Sequence, residues 1–233
     1  MYILEGNIGA GKSTLLKKIQ EADSDIETVF EPVNAWHKQE TGQSLLGNFY
    51  QDIPRWAFSL ETYAMACRVK EHLKEQQEYN PYRLLERSIY SGHYCFAHNS
   101  YHSGGMSSIE WEIYKQWFTF LMHGKCRFPC GFIYLKTDPQ ICFERIKKRN
   151  RSGEQCITLE YLKQLNSIHD NFLLHKRDIA PELELIPVLV LDGNKPFDTC
   201  NILFNEYCDQ IEEFMHMTHI RPANHTSVLS RSL

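Results

Sequence analysis

The chain has 233 residues, 42% hydrophobic and 23% charged, which is enough to bury the core of one enzyme-sized domain. Its formal net charge of -4 argues against the basic surface of proteins that bind duplex nucleic acid or anionic membranes, so contacts with phosphate are expected to be local. No apolar run approaches the ~18 residues of a membrane-spanning helix, and neither nucleic acid nor membrane is a predicted partner.

Short apolar runs alternate along the chain with longer helical patterns. The runs at 2–5, 26–30, 83–86, 131–136 and 187–192 are typical of strands buried on both faces of a parallel sheet. Helices are predicted near 12–22, 54–77, 107–122, 138–149, 158–175 and 198–215. This alternation predicts an α/β fold, a five-stranded parallel sheet flanked by helices, with ligands at the carboxyl ends of the strands.

The domain boundary is placed where the last helical pattern ends. Residues 1–215 are predicted to form one domain, and the polar, unpatterned residues 216–233 a disordered tail. A loop motif already begins at Gly6, so the interpretation leaves no room for a signal or transit peptide. The eight cysteines lack C-x-x-C pairs and metal-ligand spacing, which predicts reduced thiols in a cytoplasmic protein.

The most specific motif is Gly6-x-x-x-x-Gly11-Lys12-Ser13, which lies between a strand and a helix as a phosphate-binding loop requires. Its backbone N–H groups are expected to surround the phosphates of a nucleotide. Lys12 would neutralise β- and γ-phosphate charge, and Ser13 would ligate Mg²⁺. The predicted ligand is therefore ATP or GTP with Mg²⁺, bound by Gly6, Asn7, Ile8, Gly9, Ala10, Gly11, Lys12, Ser13 and Thr14.

A GTPase is one alternative that the residues themselves disfavour. The segment GNKPFD at 193–198 contains the Asn-Lys pair of the guanine-reading motif of GTPases. That motif places an aspartate two residues after the lysine, whereas Asp198 follows Lys195 by three. No separate switch segment is visible either, so this segment does not indicate guanine recognition.

Charged residues follow two further strands at the edge of the sheet where the loop lies. Glu31 and Trp36 come after the second strand, and Glu86 and Arg87 end the third. A hydroxyl acceptor needs a base to take its proton, a metal needs a carboxylate, and a transferring phosphoryl group needs a cation. Together with the loop, these residues predict phosphoryl transfer.

Six segments occur in an order shared with one known family. They are EGNIGAGKST, EPVNAW, FYQDIPRWAFSLETYAMACR, ERSIYSGHYCFA, EWEIYKQWF and FIYLKTDPQICFERIKKRNRSGEQCITLEYLKQL, and they cover roughly residues 2–175. In these segments the chain resembles the deoxynucleoside kinases, the group containing deoxycytidine, deoxyguanosine and mitochondrial thymidine kinases and the insect broad-specificity enzyme. The resemblance implies a P-loop kinase fold with an arginine-rich lid, ATP with Mg²⁺ as donor, and phosphorylation of a 2′-deoxynucleoside 5′-hydroxyl in nucleotide salvage. It also implies a homodimer through the helices near 54–77 and 107–122.

The resemblance also implies roles at the donor and the reacting centre. Glu31 would be the general base on the 5′-hydroxyl, and Arg87 would orient the 5′-oxygen and the phosphates. Glu86 would support Mg²⁺ together with Ser13. The lid that closes over the donor phosphates would be formed by Arg145, Arg149 and Arg151. From the residues alone, this basic run could equally be the solvated end of a helix, but three fork-shaped donors followed by a glycine suit a mobile phosphate-binding lid.

The same resemblance places the nucleoside on the acceptor side. Its 3′-hydroxyl would contact Tyr50 and Glu154, its base would pack against Trp36 and Phe96, and Arg68 would lie at the polar edge of the base. From the residues alone, the two aromatic side chains could simply belong to the core.

Two nucleoside-binding positions depart from the family pattern. Glu61 stands where the family has a glutamine, and an ionised carboxylate would accept from guanine N1–H and N2–H₂ and repel thymine O4. Burial could protonate Glu61 and restore a donor, whereas neighbouring Arg68 is expected to favour the ionised form or to pair with it as a helix salt bridge. Gly92 replaces the aspartate of deoxycytidine and deoxyguanosine kinases and leaves room for a 5-methyl group. The two departures point to different bases, and the expected acceptors are thymidine and other pyrimidine deoxynucleosides.

Two rival interpretations share the fold and the loop. A thymidylate-type nucleoside monophosphate kinase would need a basic site for the phosphate of its acceptor, and residues 31–68 contain few cations. A catalytically silent scaffold relative would not need the intact set of Lys12, Glu31, Glu86, Arg87 and the lid arginines. The sequence therefore favours an active deoxynucleoside kinase.

Overall fold

The structure is a computed structural model that describes residues 1–22, 25–37, 44–77, 80–151 and 153–219. Within these residues the strands are β1 (Tyr2–Glu5), β2 (Glu27–Val29), β3 (Arg83–Glu86), β4 (Gly131–Lys136) and β5 (Val188–Asp192). They form one parallel sheet in the order β2-β3-β1-β4-β5. The predicted α/β class with a five-stranded parallel sheet is confirmed, and β1, β3 and β4 have the predicted bounds.

All six predicted helices are present, together with shorter ones that the periodicity did not indicate. The helices are α1 (Lys12–Glu21), α2 (Asn34–His37), α3 (Leu45–Gln51), α4 (Ile53–Gln77), α5 (Ile89–Ser91), α6 (His98–His102), α7 (Ser108–Gly124), α8 (Pro139–Arg149), α9 (Leu159–Leu173), α10 (Pro181–Glu184) and α11 (Asn201–His219). Helix α11 continues four residues past the expected boundary at 215, and residues 220–233 of the expected tail lie outside the described residues. None of the helices described is long and apolar enough to cross a membrane.

The sheet is buried on both faces because side chains of successive residues alternate between them. Tyr2 and Leu4 of β1 belong to a cluster that packs against α1 and α11. Ile3, between them, belongs to a larger cluster formed with α4, α7 and α9. Fully burying an aliphatic side chain of this size contributes roughly 1.5–3 kcal/mol, so these two layers fix the strands on which the site is built.

A continuous helical segment at 89–102 connects β3 to the region before α7. Its middle part, Gly92–Ala97, is a π-helical turn, which is a rare conformation that recurs at functional sites. Ser88 caps its start by accepting hydrogen bonds from the backbone N–H groups of Tyr90 and Ser91. The segment begins close to the carboxyl end of β3 and includes Phe96 in its π-helical turn.

Candidate active site

A cleft of about 700 Å³ opens at the carboxyl ends of the strands. Most of the predicted site residues line it, namely Ile8, Gly9, Gly11, Lys12, Ser13, Thr14, Glu31, Trp36, Tyr50, Glu61, Arg68, Glu86, Arg87, Phe96, Arg145, Arg149, Arg151 and Glu154. Of the other predicted residues, Gly6, Asn7, Ala10 and Gly92 lie outside this lining. Residues separated by up to about 150 positions in the sequence thus share one cavity.

The phosphate loop is held in place from below by its own neighbours. Asn7 donates from Nδ2 to the Leu162 carbonyl at 2.8 Å and accepts from the Ile8 N–H at 2.8 Å, which ties the loop to α9. Gly9 has a φ of +78°, and a Cβ there would lie 2.6 Å from the Cys142 carbonyl oxygen. Only glycine fits this position, and Gly9 itself lines the cleft.

Lys12 is folded back over the loop. Its Nζ donates to the carbonyls of Gly6 at 3.1 Å and Asn7 at 2.9 Å, and its side chain is buried. Burial, followed by repulsion from Arg87, lowers the pKa of Lys12 to about 8. Even so, the ammonium remains mostly protonated at neutral pH, positioned at the floor of the cleft beside the loop glycines.

Ser13 and Glu86 bring oxygen ligands together at the start of α1. Ser13 Oγ donates to Glu86 Oε1 at 2.8 Å, and the Glu31 backbone N–H donates to Glu86 Oε2 at 3.5 Å. Mg²⁺ prefers such hard oxygen ligands and is often bound through one or two of them plus substrate phosphates. Among the described residues, clusters of three or more His, Cys, Asp or Glu ligands are absent. The oxygen atoms of Ser13 and Glu86 are of the kind that could hold Mg²⁺ together with phosphate oxygens.

Glu31 is held by two arginines. Arg68 donates to Oε1 from Nε at 3.2 Å and from Nη2 at 2.6 Å, and Arg87 Nε lies 3.2 Å from Oε2. Burial by itself raises the pKa of Glu31, but the charges of Arg68 and Arg87 outweigh it and leave that pKa lowered. The carboxylate is therefore ionised at neutral pH although its side chain is only 7% exposed.

Arg87 reaches this pair through an unusual backbone conformation. It directly follows β3 with a φ of +63°, a region that side chains other than glycine rarely adopt, and its N–H donates to the Leu4 carbonyl at 3.0 Å. Strain of this kind costs of order 1–3 kcal/mol and persists where the surroundings fix it. The turn directs the guanidinium to within 4.4 Å of the Phe96 ring centroid, inside the cleft.

The cleft contains a second buried carboxyl group, that of Glu61. Glu61 Oε1 accepts from Ser100 Oγ at 3.3 Å. Burial raises the pKa of Glu61 to about 7, against the opposing charge of Arg68. Arg68 favours the ionised form of Glu61, as expected, but burial has the larger effect because the guanidinium is bound to Glu31. Among the described residues, Arg68 forms its ion pair with Glu31, and the alternative helix salt bridge between Glu61 and Arg68 is absent.

Arg68 lies between the aromatic residues expected to pack on the base. Its guanidinium carbon is 5.3 Å from the Trp36 ring centroid and 5.9 Å from that of Phe96. A Cβ added to Gly92 would lie 2.7 Å from Arg68 Nη1, which is buried and has no hydrogen-bond partner among the described residues. The space at Gly92 that is expected to accept a 5-methyl group is therefore also next to a guanidinium donor.

The lid arginines contact Glu154 and the loop. Arg149 Nη2 donates to Glu154 Oε2 at 2.7 Å, and Arg151 Nη1 donates to Oε1 at 3.4 Å. Arg145 Nη1 donates to the carbonyls of Ala10 and Gly193, each at 2.9 Å. From the sequence, Glu154 is predicted to contact the sugar and the lid arginines to contact the donor phosphates. In the structure, Glu154 is in direct contact with Arg149 and Arg151.

Several lining residues were not predicted. They are Val33, Leu46, Phe49, Leu60, Ala64, Lys148, Tyr161, Pro196, Phe197 and Asp198. Leu46 and Phe49 belong to α3, which the periodicity did not indicate. Phe197 and Asp198 lie in the segment GNKPFD, whose Asn-Lys pair resembles a GTPase motif. The Phe197 ring of this segment packs beside Gly11. A position just after a strand at the ligand-binding edge was the available signal.

The fold and cleft define a P-loop kinase, a phosphotransferase in which the loop and a buried, arginine-bound carboxylate share one cavity. The profile of the family described as Deoxynucleoside kinase matches residues 2–216, and the chain belongs to this family of ATP-dependent phosphotransferases. The predicted resemblance and enzyme class are therefore confirmed.

Similar curated proteins include kinases named for different nucleosides. Deoxycytidine kinase 2 of Gallus gallus is 36% identical over 238 residues, covering 91% of this chain and 89% of that protein. Deoxycytidine kinase of Mus musculus is 36% identical over 217 residues, covering 83% and 84%. Mitochondrial thymidine kinase 2 of Homo sapiens is 34% identical over 208 residues, covering 89% and 76%. These similarities are too close to one another to decide which nucleoside this chain accepts.

Proposed function

We propose that the protein transfers the γ-phosphate of ATP to the 5′-hydroxyl of a 2′-deoxynucleoside in nucleotide salvage, favouring thymidine and other pyrimidine deoxynucleosides. The observation that carries this proposal is the position of Glu31, an ionised carboxylate in the same cleft as Lys12 and Ser13. A hydroxyl acceptor needs a base to take its proton, whereas a phosphate acceptor does not. This favours a nucleoside over a nucleotide as acceptor.

On the donor side, ATP would bind along the phosphate loop. Lys12 would exchange its bonds to two loop carbonyls for phosphate oxygens, and the backbone N–H groups at the start of α1 would bind the same phosphates. Ser13 and Glu86 would hold Mg²⁺, which when bound neutralises phosphate charge. The lid arginines would bind the transferring group, and the donor base would lie against Phe197 and Asp198.

On the acceptor side, the nucleoside would occupy the half of the cleft around Glu31. The Glu31 carboxylate would accept the 5′-hydroxyl proton, and Arg87 would orient the 5′-oxygen. Tyr50 and Glu154 would bind the 3′-hydroxyl. Trp36 and Phe96 would pack against the base, since each contributes an aromatic face close to Arg68.

The preference for thymidine rests on the order of polar groups along the cleft. In an anti nucleoside, C6 of a pyrimidine lies nearest the 5′-hydroxyl, and C5, C4 and N3 follow at increasing distance along the ring. Arg68 is bound to Glu31 and would face C4, while Glu61, two turns away on α4, would face N3. A guanidinium only donates hydrogen bonds, so it suits the O4 carbonyl of thymine better than the amino group of cytosine.

The proposal is tested by phosphate transfer from ATP and Mg²⁺ to thymidine, deoxycytidine, deoxyadenosine and deoxyguanosine in parallel, with thymidylate as a fifth acceptor. The expected result is the highest kcat/KM with thymidine and a lower value with deoxycytidine. Transfer to thymidylate alone would replace the proposal by a monophosphate kinase. Absence of transfer to every acceptor would indicate a silent relative.

We also propose that the protein is a homodimer. Four large apolar residues of α7 recur at spacings of three or four and are exposed: Ile109 (70%), Ile113 (42%), Trp117 (53%) and Phe120 (55%). An exposed apolar stripe of this kind is typical of a protein interface, and a second copy of the same stripe would cover it. Light scattering should give the mass of a dimer, and Trp117→Glu should give a monomer. Ile202→Glu, at an exposed residue of α11, is the matched control and should remain dimeric.

Two further proposals concern the extent and location of the protein. The family match to residue 216 supports one kinase domain, close to the boundary expected at 215. All eight cysteines are free, which supports a reducing compartment such as the cytoplasm.

A further inference from the structure

His72 is a buried imidazole one turn after Arg68 on α4. It is 1% exposed, and neither of its ring nitrogens has a hydrogen-bond partner among the described residues. Its ring makes an edge-to-face contact with Tyr90 at a centroid distance of 6.0 Å. Burial, together with the charge of Arg68, lowers the pKa of His72 to about 4, so the ring is neutral at physiological pH. A neutral imidazole has one N–H donor and one acceptor, and both are unmatched.

A small cavity of about 10 Å³ lies beside this ring. Its apolar wall is formed by Val29, Phe30, Pro32 and Leu85, and its polar wall by Glu31, Arg68, Glu71, His72, Glu86 and Arg87. Glu31, Arg68, Glu86 and Arg87 also line the main cleft, so they separate the two spaces. A water molecule needs a polar site of roughly 10–15 Å³, and the cavity is therefore large enough for one water and for nothing larger.

Arg87, another residue of the cavity wall, also carries an unmatched donor. Arg87 Nη1 is buried and has no partner within the described part of the chain, while Arg87 Nε lies 3.2 Å from Glu31 Oε2. Buried polar atoms are almost always hydrogen-bonded, either to protein or to ordered water. One water in this polar cavity can satisfy Arg87 Nη1 and one of the two His72 ring nitrogens at the same time.

We propose that this cavity binds one water molecule that bridges His72 to Arg87, and that His72 is through this water a positioning residue for Arg87 and Glu31. The water accepts a hydrogen bond from Arg87 Nη1–H and a second bond joins it to the His72 ring. Carboxylate oxygens of the same wall accept its remaining hydrogen. The bridge holds the far side of the Arg87 guanidinium, and so holds the Nε that binds the general base.

The kinetic consequence rests on the proposed function, whereas the water site does not. Without the bridge, Arg87 is less well held and stabilises the Glu31 carboxylate less. The pKa of Glu31 should then rise, and the acid limb of the pH profile of kcat/KM should move to higher pH. A histidine that only fills space against Tyr90 would have no such effect.

The test compares His72→Leu, which removes the hydrogen-bonding atoms, with His72→Asn and His72→Gln, whose amides can bind a water in place of one or other ring nitrogen. Val69→Ala is the matched control, because Val69 is another buried residue of α4 and lines neither cavity. Each variant is characterised by its crystal structure at a resolution that shows waters, its melting temperature, and the pH dependence of kcat and KM with thymidine and ATP.

The expected result is an ordered water between His72 and Arg87 Nη1 in the wild type and none in His72→Leu. His72→Leu should lower kcat about tenfold, which corresponds to roughly 1.4 kcal/mol on the barrier, and shift the acid limb upward. At least one amide variant should recover most of kcat, and Val69→Ala should lower the melting temperature without moving the pH profile.

Two results would overturn the inference. One is a wild-type crystal structure with a dry cavity, and the other is a His72→Leu enzyme that loses stability but keeps kcat and the pH profile. Absence of kinase activity in the wild type would instead refute the proposed function, and the crystal structure would still decide whether the water is present.

Discussion

The cleft contains two buried carboxyl groups, and the two groups are held in opposite ways. Glu31 binds two guanidinium groups and has a lowered pKa. Glu61 accepts one hydrogen bond from a serine and has a pKa raised to about 7. Both side chains are almost fully buried, so burial does not explain the difference.

The difference shows that the placement of two arginines sets the protonation state of each carboxyl. Arg68 lies near both groups but donates its short hydrogen bonds to Glu31 only. Glu31 is therefore suited to accept a proton, and Glu61 can both accept and donate near neutral pH. Carboxyl groups whose environments separate their pKa values in this way commonly divide acid, base and binding roles between them.

The largest effect is expected from Glu31→Gln, which removes the proposed general base and keeps the size of the side chain. Turnover should fall about 10²- to 10⁴-fold, the usual contribution of general base catalysis, while the Kd of thymidine changes little. Steady-state rates and calorimetric titration measure the two quantities. Glu160→Gln, at an exposed residue of α9, is the control and should be unaffected. Turnover close to that of the wild type would remove Glu31 from the role of base.

Arg68→Leu removes the positive charge that lowers the pKa of both Glu31 and Glu61. Glu31 then keeps only Arg87, and breaking a buried ion pair costs about 3–5 kcal/mol. The variant should unfold at lower denaturant concentration, and the pKa of Glu31 should rise, which moves the acid limb of kcat/KM upward. An unchanged pH profile in a folded variant would show that Arg68 does not set the state of Glu31.

Glu61→Gln should change stability in a pH-dependent way. The folded state holds the Glu61 proton more tightly than the unfolded state, so the contribution of this carboxyl is complete below pH 4.5 and is lost as pH rises to about 7. Glutamine does not titrate. The free energy of unfolding of the variant minus that of the wild type should therefore be about 3 kcal/mol larger at pH 8 than at pH 4, at roughly 1.4 kcal/mol per pKa unit. Denaturant unfolding at both pH values measures the gain.

The matched control for that experiment is Glu212→Gln, at an exposed residue of α11. Its stability difference from the wild type should be the same at both pH values. Equal differences for Glu61→Gln would contradict the raised pKa. In kinetic assays, the ratio of the thymidine to the deoxycytidine phosphorylation rate should also depend less on pH in Glu61→Gln than in the wild type.

The smallest effect is expected from Gly92→Ala. The new Cβ would lie 2.7 Å from Arg68 Nη1, so the guanidinium must shift while two of its nitrogens stay bound to Glu31. Overpacking of this kind costs about 1–3 kcal/mol, and kcat/KM for thymidine should fall severalfold. Gly124→Ala, where nothing lies within 4 Å of the new Cβ, is the control. Equal behaviour of both variants would show that Arg68 has room to move.

Much of the fold could be predicted because the strands are continuous apolar runs buried on both faces. The bounds of β1, β3 and β4 were predicted correctly for this reason. Helix α3 was missed because its seven residues are too few to establish a period. The segment at 89–102 was missed because its polar and aromatic residues follow no regular repeat, and its π-helical turn changes the spacing of side chains.

The candidate site was predictable where residue type and local spacing carry the chemistry. Most of the phosphate loop lines one cleft together with Glu31, Glu86 and the lid arginines, as the motifs indicated. The partner of Arg68 was not predictable, because Glu61 lies on the same helix while Glu31 is 37 residues away and follows a different strand. The contact of Glu154 with two lid arginines was missed for a related reason, since motifs assign residues to ligands and not to one another.

By itself, the amino-acid sequence determined the α/β architecture, the phosphate-loop motif and the family to which the chain belongs, because each depends on local patterns of residue type. Only the tertiary structure decided how charge is distributed in the cleft. It placed Arg68 on Glu31, left Glu61 with a serine, and brought His72 and Arg87 to the wall of one small cavity. These outcomes depend on distances between distant segments and on burial, and both arise only when the chain packs.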